Sequence, residues 1–237
     1  MRLDKFLSLC GKASRSETLR SVRRGEITVN GVPARRGDCP VEPDTDTVVF
    51  RGETVVYRPY TCVMLHKPDG VVSATEDRLA GEPTVLDLLP PELTRLRPGL
   101  FPCGRLDKNT TGLLILTNNG ALAHRLLSPK CHVEKTYRFT CERALTDADC
   151  ELLRRGVDIG EKSSTLPAKL MLFSGRSGEI TVTEGKYHQI KRMFQAVCNK
   201  ILSLERISFA GIPLDSALAR GGWRELTAAE AAYIESK

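Results

Sequence analysis

No C-x-x-C pair occurs among the eight cysteines at 10, 39, 62, 103, 131, 141, 150 and 198, which excludes a zinc ribbon and a thioredoxin-type motif. Cys131-His132 is the one adjacent pair of metal-ligand types, and it lacks a second pair at ligand spacing, so no metal is expected. In a reducing compartment the cysteines read as free thiols. No apolar run approaches the ~20 residues that a membrane-spanning helix needs. Charges at Arg2, Asp4 and Lys5 interrupt the stretch that a signal peptide would keep apolar, and the expectation is a cytoplasmic protein without a membrane partner. Internal repeats and low-complexity runs are also missing. What remains is an ordinary globular composition, 41% hydrophobic and 27% charged over 237 residues, enough for one or two domains with a real core.

Charge is distributed unevenly. Residues 1–36 carry nine Lys or Arg against three acids, an excess of six that equals the net charge of the whole chain. The remainder balances at 26 of each sign. A small basic module attached to a neutral domain points to a polyanionic partner, although a solvated basic face would give the same count.

Within that module Leu3, Phe6, Leu7 and Cys10 fall at i, i+3, i+4 and i+7, the stripe of a short helix that Gly11 ends. Ser14-Arg15-Ser16-Glu17 has capping-box spacing and predicts a second helix, with Leu19 and Val22 inward and Arg15, Arg20, Arg23 and Arg24 on its other side. Ile27 and Val29 alternate in a strand running into the hairpin dipeptide Asn30-Gly31. Residues 51–60 read as a linker, with the domain boundary near Arg58-Pro59.

Beyond it, strands are predicted over 61–66, 113–117, 136–141, 179–183 and 202–208. They alternate with helices over 121–127, 147–154, 188–197 and 228–236, the last opened by a capping box from Thr227 to Glu230. Strands interleaved with helices indicate an α+β domain.

Three polar clusters could carry chemistry. Gly104-Arg105-Leu106-Asp107-Lys108-Asn109-Thr110-Thr111-Gly112 sets one carboxylate between two cations just before an apolar strand. Asp107 there is either a loop-capping aspartate or a functional carboxylate. No Gly-Lys-Ser/Thr follows, so the stretch is not a phosphate loop. The second cluster is Glu184 to Met193 (EGKYHQIKRM), and the third is Glu134-Lys135-Thr136-Tyr137. His66 and Lys67, before Pro68, read as scaffold.

The block "RLDKFL", "SRSE" and "RRGEITVNG" resembles the S4-type RNA-binding domain over residues 1–50. The motifs "GRLDKNTTGLLILTNNG", "EKTY" and "EGKYHQIKRMF", in that order behind it, resemble the RsuA-type branch of the ribosomal-RNA pseudouridine synthases across the chain. The resemblance implies an S4-type α/β domain with its linker over residues 1–58. It implies a catalytic domain over 59–237, built on a mostly antiparallel mixed sheet flanked by helices.

It also implies an isomerase that cuts the bond between uracil N1 and ribose and rejoins the base through C5, without a cofactor. Asp107 falls on the family's essential carboxylate, and Lys191 on its basic partner, where arginine is usual. Tyr137 matches the aromatic that stacks on the extruded uracil, Ile190 would close the pocket, and Arg105 would help displace the base. Asn109 stands where an acid is frequent and is expected to affect loop packing. His188 is left as a structural or RNA contact. Arg2, Lys5, Arg15, Arg20, Arg23 and Arg24 become candidates for phosphate contacts. The implied partner is ribosomal RNA, 16S before 23S, or a subunit assembly intermediate, met by a monomer. The resemblance implies uridine 516 of 16S RNA as the target. A non-catalytic RNA-binding or ribosome-assembly factor is the alternative from another class.

Overall fold

A computed structural model describes residues 1–57, 60–76 and 81–237. The chain divides into two compact units, Met1–Thr61 with Leu89–Phe101, and Cys62–Leu88 with Pro102–Lys237. The expected boundary at Arg58-Pro59 lies outside the described residues.

The first unit opens with helices α1 (Leu3–Leu9) and α2 (Arg15–Arg23). Leu3, Phe6 and Leu7 are buried, as their spacing requires. The capping box of α2 is present, with Glu17 N donating to Ser14 Oγ and Ser14 N to Glu17 Oε2, an arrangement that contributes about 1 kcal/mol. Its inner face differs from the sequence reading. Leu19 is 51% exposed, and Thr18 and Ser21 are buried instead. Both can enter the core because their hydroxyls are satisfied, Thr18 donating to Ser14 O and Ser21 to Glu26 Oε2.

Strands β1 (Ile27–Val29) and β2 (Val32–Pro33) form the predicted hairpin. Asn30 and Gly31 sit at φ 51° and 78°, the left-handed pair that a two-residue turn demands. β3 (Val48–Phe50) and β4 (Glu53–Val55) complete a sheet of order β2-β1-β3-β4. Part of the expected linker is therefore strand. Arg51-Gly52 make a second left-handed turn that the pattern of residues 51–60 does not reveal. A short helix α3 (Pro91–Thr94) belongs to this unit.

The second unit contains β5 (Cys62–Lys67), β7 (Thr111–Thr117), α4 (Gly120–Leu127), β8 (Lys135–Cys141) and α5 (Asp147–Arg155), and the two-residue β6 (Phe101–Pro102) falls at the division between Phe101 and Pro102. There follow β9 (Lys169–Ser174), β10 (Ser177–Val182), α6 (Gln189–Ala196), β11 (Ile201–Phe209), β12 (Ile212–Pro213), β13 (Trp223–Glu225) and α7 (Ala228–Glu235). The sheet order is β13-β5-β7-β11-β8-β10-β9, antiparallel except for the β7–β11 pair. The α+β reading holds. The predicted strands and helices lie within about two residues of the observed ends, whereas β6, β9, β12 and β13 are not predicted; in β9 the outward Met171 and Phe173 are apolar, so hydropathy does not alternate although burial does.

One core packs α5 and α6 on the sheet. Ile190, Met193, Phe194 and Val197, at i, i+3, i+4 and i+7, are all buried in it. Each contributes roughly 1.5–3 kcal/mol. Phe194 meets Phe139 of β8 edge to face at 4.8 Å, which fixes α6 on the sheet and so fixes what its other face carries.

Candidate active site

A row of paired residues crosses the middle of the sheet: Lys67 on β5, Gly112 on β7, Arg206 on β11, Tyr137 on β8 and Ile180 on β10. Gly112 has φ 104°, and a Cβ there would collide with the Arg206 backbone, so the close approach of β7 and β11 needs glycine. Arg206 is 2% exposed. Its Nε donates to Leu113 O at 2.7 Å, its guanidinium lies 5.0 Å from the Phe209 ring, and its buried Nη2 has no hydrogen-bond partner among the described residues.

Asp107 stands in the loop that enters β7, and buried contacts hold that loop from two sides. Ser73 Oγ donates to Leu106 O at 2.9 Å and accepts from Leu106 N at 3.1 Å. Lys67, completely buried, donates from Nζ to the carbonyls of Pro68, Lys108 and Thr110, each at 3.0 Å. Burial lowers the Lys67 pKa to about 8, while Asp69 and Asp107 oppose the shift. Lys67 is scaffold, as read, and its scaffold is the Asp107 loop. A lysine closing the apolar strand run Val63-Met64-Leu65 just before Pro68 is the sequence signal that points to this.

Above the loop, α6 delivers the charge partner. Lys191 Nζ lies 2.7 Å from Asp107 Oδ2 and donates to Asn109 Oδ1 at 2.5 Å. Asn109 therefore touches the basic partner directly and does more than pack the loop. His188 Nε2 is 3.4 Å from Asp107 Oδ1. Asp107, Lys191, His188 and Asn109 line a cleft of about 510 Å³ with Asp69, Gly70 and Lys108. Asp107 and Lys191 side chains are each about one-quarter exposed, so the carboxylate is open enough to meet a ligand and shielded enough for its ion pair to count.

The lining of the cleft does not include Tyr137, Ile190 or Arg105. Tyr137 is half-buried and packs against the core that contains Ile190, itself 4% exposed. Arg105 is exposed, with no ion pair among the described residues. In the first unit, Arg2 is paired with Asp4 at 2.7 Å and Arg24 with Glu26 at 3.7 Å. Lys5, Arg15, Arg20 and Arg23 are exposed without an ion pair among the described residues. Arg23 lines a cleft with Arg2, Leu19, Arg35 and Arg36, and the last two were not singled out in the sequence.

Residues 61–196, more than half the chain and containing this site, match the RNA pseudouridylate synthase family, and residues 1–46 match the S4 domain. The chain belongs to the RNA pseudouridylate synthase family. This synthase is 47% identical over 234 residues to the uncharacterized RNA pseudouridine synthase YtzG of Bacillus subtilis, covering 97% of this chain and 96% of that one. It is 37% identical to ribosomal small subunit pseudouridine synthase A of Escherichia coli K12, covering 99% and 100%. The protein of the same name from Yersinia pestis is 40% identical, covering 99% and 98%. Among solved structures, one described as a crystal structure of pseudouridylate synthase superposes with TM-score 0.69 at 33% identity, covering 99% of both chains. The synthase is thus an isomerase with an S4 domain ahead of its catalytic fold.

Proposed function

We propose that this synthase converts one uridine of 16S ribosomal RNA to pseudouridine, with uridine 516 as the target and Asp107 as the reacting carboxylate. The Asp107–Lys191 contact at 2.7 Å carries the reading, because it sets a carboxylate against a fixed cation in a cleft from which RNA would exclude water. The names of the Escherichia coli and Yersinia pestis relatives support a small-subunit target.

The isomerisation balances without a co-reactant. The N1–C1′ bond breaks, a C5–C1′ bond forms, and the proton lost from C5 is matched by one gained at N1. A carboxylate serves by adding to C1′ or by taking a proton from C2′. Tyr137 supplies the ring for the extruded base and Arg105 the exposed cation that helps to displace it, while Ile190 forms an apolar wall behind. The exposed cations of the first unit, Lys5, Arg15, Arg20 and Arg23, engage phosphates, with Arg2 and Arg24 joining once released from their carboxylates.

The test is pseudouridine mapping of 16S and 23S RNA from cells lacking the protein, complemented with wild type or Asp107→Asn. The expected result is one 16S site lost and restored only by wild type. Loss in 23S RNA would move the target to the large subunit. Restoration by Asp107→Asn would leave an RNA-binding factor as the better account.

A further inference from the structure

We propose that Tyr187 and His188 form a base-stacking platform at the rim of the Asp107 cleft, which takes the nucleobase of RNA adjoining the uridine that enters it. The inference rests on the reading above and extends it to a neighbouring nucleotide.

Tyr187 is 68% exposed, so core packing does not account for an aromatic side chain at that position. Its ring lies on the His188 imidazole with centroids 3.8 Å apart and planes 21° from parallel. The imidazole in turn reaches Asp107 Oδ1 at 3.4 Å, which ties the two-ring stack to the reacting carboxylate. His188 adopts the left-handed conformation, φ 50° and ψ 34°, at the entrance to α6. For a residue with a Cβ that conformation is strained.

The surrounding chain enforces it. Arg192 Nη1 donates to Tyr187 O at 3.1 Å and to Glu161 Oε1 at 2.7 Å. Lys186 N donates to Gln189 Oε1 at 2.9 Å, and Gln189 Nε2 to Glu184 Oε1 at 2.9 Å. Lys186 Nζ donates to the carbonyls of Ser163 and Ser164. The stack is therefore preorganised, with the outer face of Tyr187 turned to solvent.

The chemistry of the rim selects the occupant. Lys191 is bound by Asp107 and Asn109, Arg192 by Glu161, and Lys108 by Glu82 at 2.5 Å. With these three cations paired, what Tyr187 itself offers to nucleic acid is a flat π-face and not a charge. Unstacked RNA bases are held by such faces, largely independently of sequence. Swinging a uridine into the cleft leaves its neighbour without a stacking partner, and the platform replaces that contact.

The experiment compares full-length wild type, Tyr187→Phe and Tyr187→Ala on a deproteinised 16S transcript, measuring Kd, KM and kcat at two salt concentrations. Tyr187→Ala is expected to raise Kd and KM about 5- to 50-fold, equally at both salts, with kcat within about twofold and the melting temperature unchanged. Tyr187→Phe should match wild type. Equal binding by wild type and Tyr187→Ala, or a fall in kcat alone, overturns the platform. An effect confined to the assembled subunit, with the naked transcript unaffected, overturns it in favour of a protein partner. Wild type that binds the transcript without forming pseudouridine would defeat the proposed substrate, while the difference in Kd would still decide the platform.

Discussion

Lys191 Nζ sits between Asp107 Oδ2 at 2.7 Å and Asn109 Oδ1 at 2.5 Å, so a single ammonium clasps both side chains of one loop. A lysine does this with a point charge, without the planar fork of arginine. If Asp107 has the proposed role, Asp107→Asn is expected to abolish pseudouridine formation while leaving the Kd for RNA within about threefold, since the side chain keeps its shape and loses its charge. Lys191→Met should lower kcat by about 30- to 1,000-fold, in line with the loss of one preorganised charge contact, and Lys191→Arg should fall between. Single-turnover rates on a 16S transcript decide it. An unchanged rate in Lys191→Met would remove the ion pair from the mechanism.

Lys67 makes a separate prediction, because it holds the loop by its backbone. Lys67→Met strips the donor from three carbonyls and relieves one buried cation. The net loss is about 1–3 kcal/mol. The melting temperature should drop by several degrees, and kcat by more than about tenfold, because small displacements of a reacting group are costly. Thermal denaturation and kcat measured on the same preparations test this. A destabilised variant with full kcat would show that the loop keeps its geometry without the lysine.

The first unit predicts a salt effect. Arg20 and Arg23 stand exposed on α2 without carboxylate partners among the described residues. Replacing both with Ala should weaken RNA binding and reduce the slope of log K against log salt by about 1.5–2, with single-turnover chemistry at saturation retained. An unchanged slope would take these two side chains out of the interface.

Acid stability depends on Glu230. Arg224 donates from Nη1 and Nη2 to its carboxylate at 2.7 and 2.8 Å, and this pairing lowers the Glu230 pKa from 4.5 to about 2. A carboxylate whose folded pKa is depressed adds stability that is fully present above 4.5 and is lost as pH falls toward 2. Glu230→Gln should therefore lower the melting temperature at pH 7 by about 3–10 °C, corresponding to about 1–3 kcal/mol for a chain of this size. Below pH 4.5 the gap should narrow. A constant difference from pH 7 to pH 3 would mean that the charge of Glu230 is not what stabilises.

Local signals were the legible ones. Ser14 with Glu17 and Thr227 with Glu230 cap helices through atoms three residues apart, Asn30-Gly31 turns a hairpin by its own φ preferences, and Ile190, Met193 and Phe194 mark a helix face by spacing. Each is settled within a few residues, so the sequence alone determined these elements, the α+β class and the motif containing Asp107. Leu19 and the turn at Arg51-Gly52 escaped because burial and strand pairing there depend on neighbours distant in sequence.

The site belongs to that second kind. The meeting of Asp107 with Lys191 and His188, the reach of Lys67 to the Lys108 and Thr110 carbonyls, and the alignment of Gly112 with Arg206 all join segments far apart along the chain. Sequence could supply the residue types for this chemistry. Only the packing of α6 on the sheet, driven by burial of its apolar face, decided that a lysine and a histidine would converge on one carboxylate, because burial is non-directional and side-chain geometry at hydrogen-bond range is not.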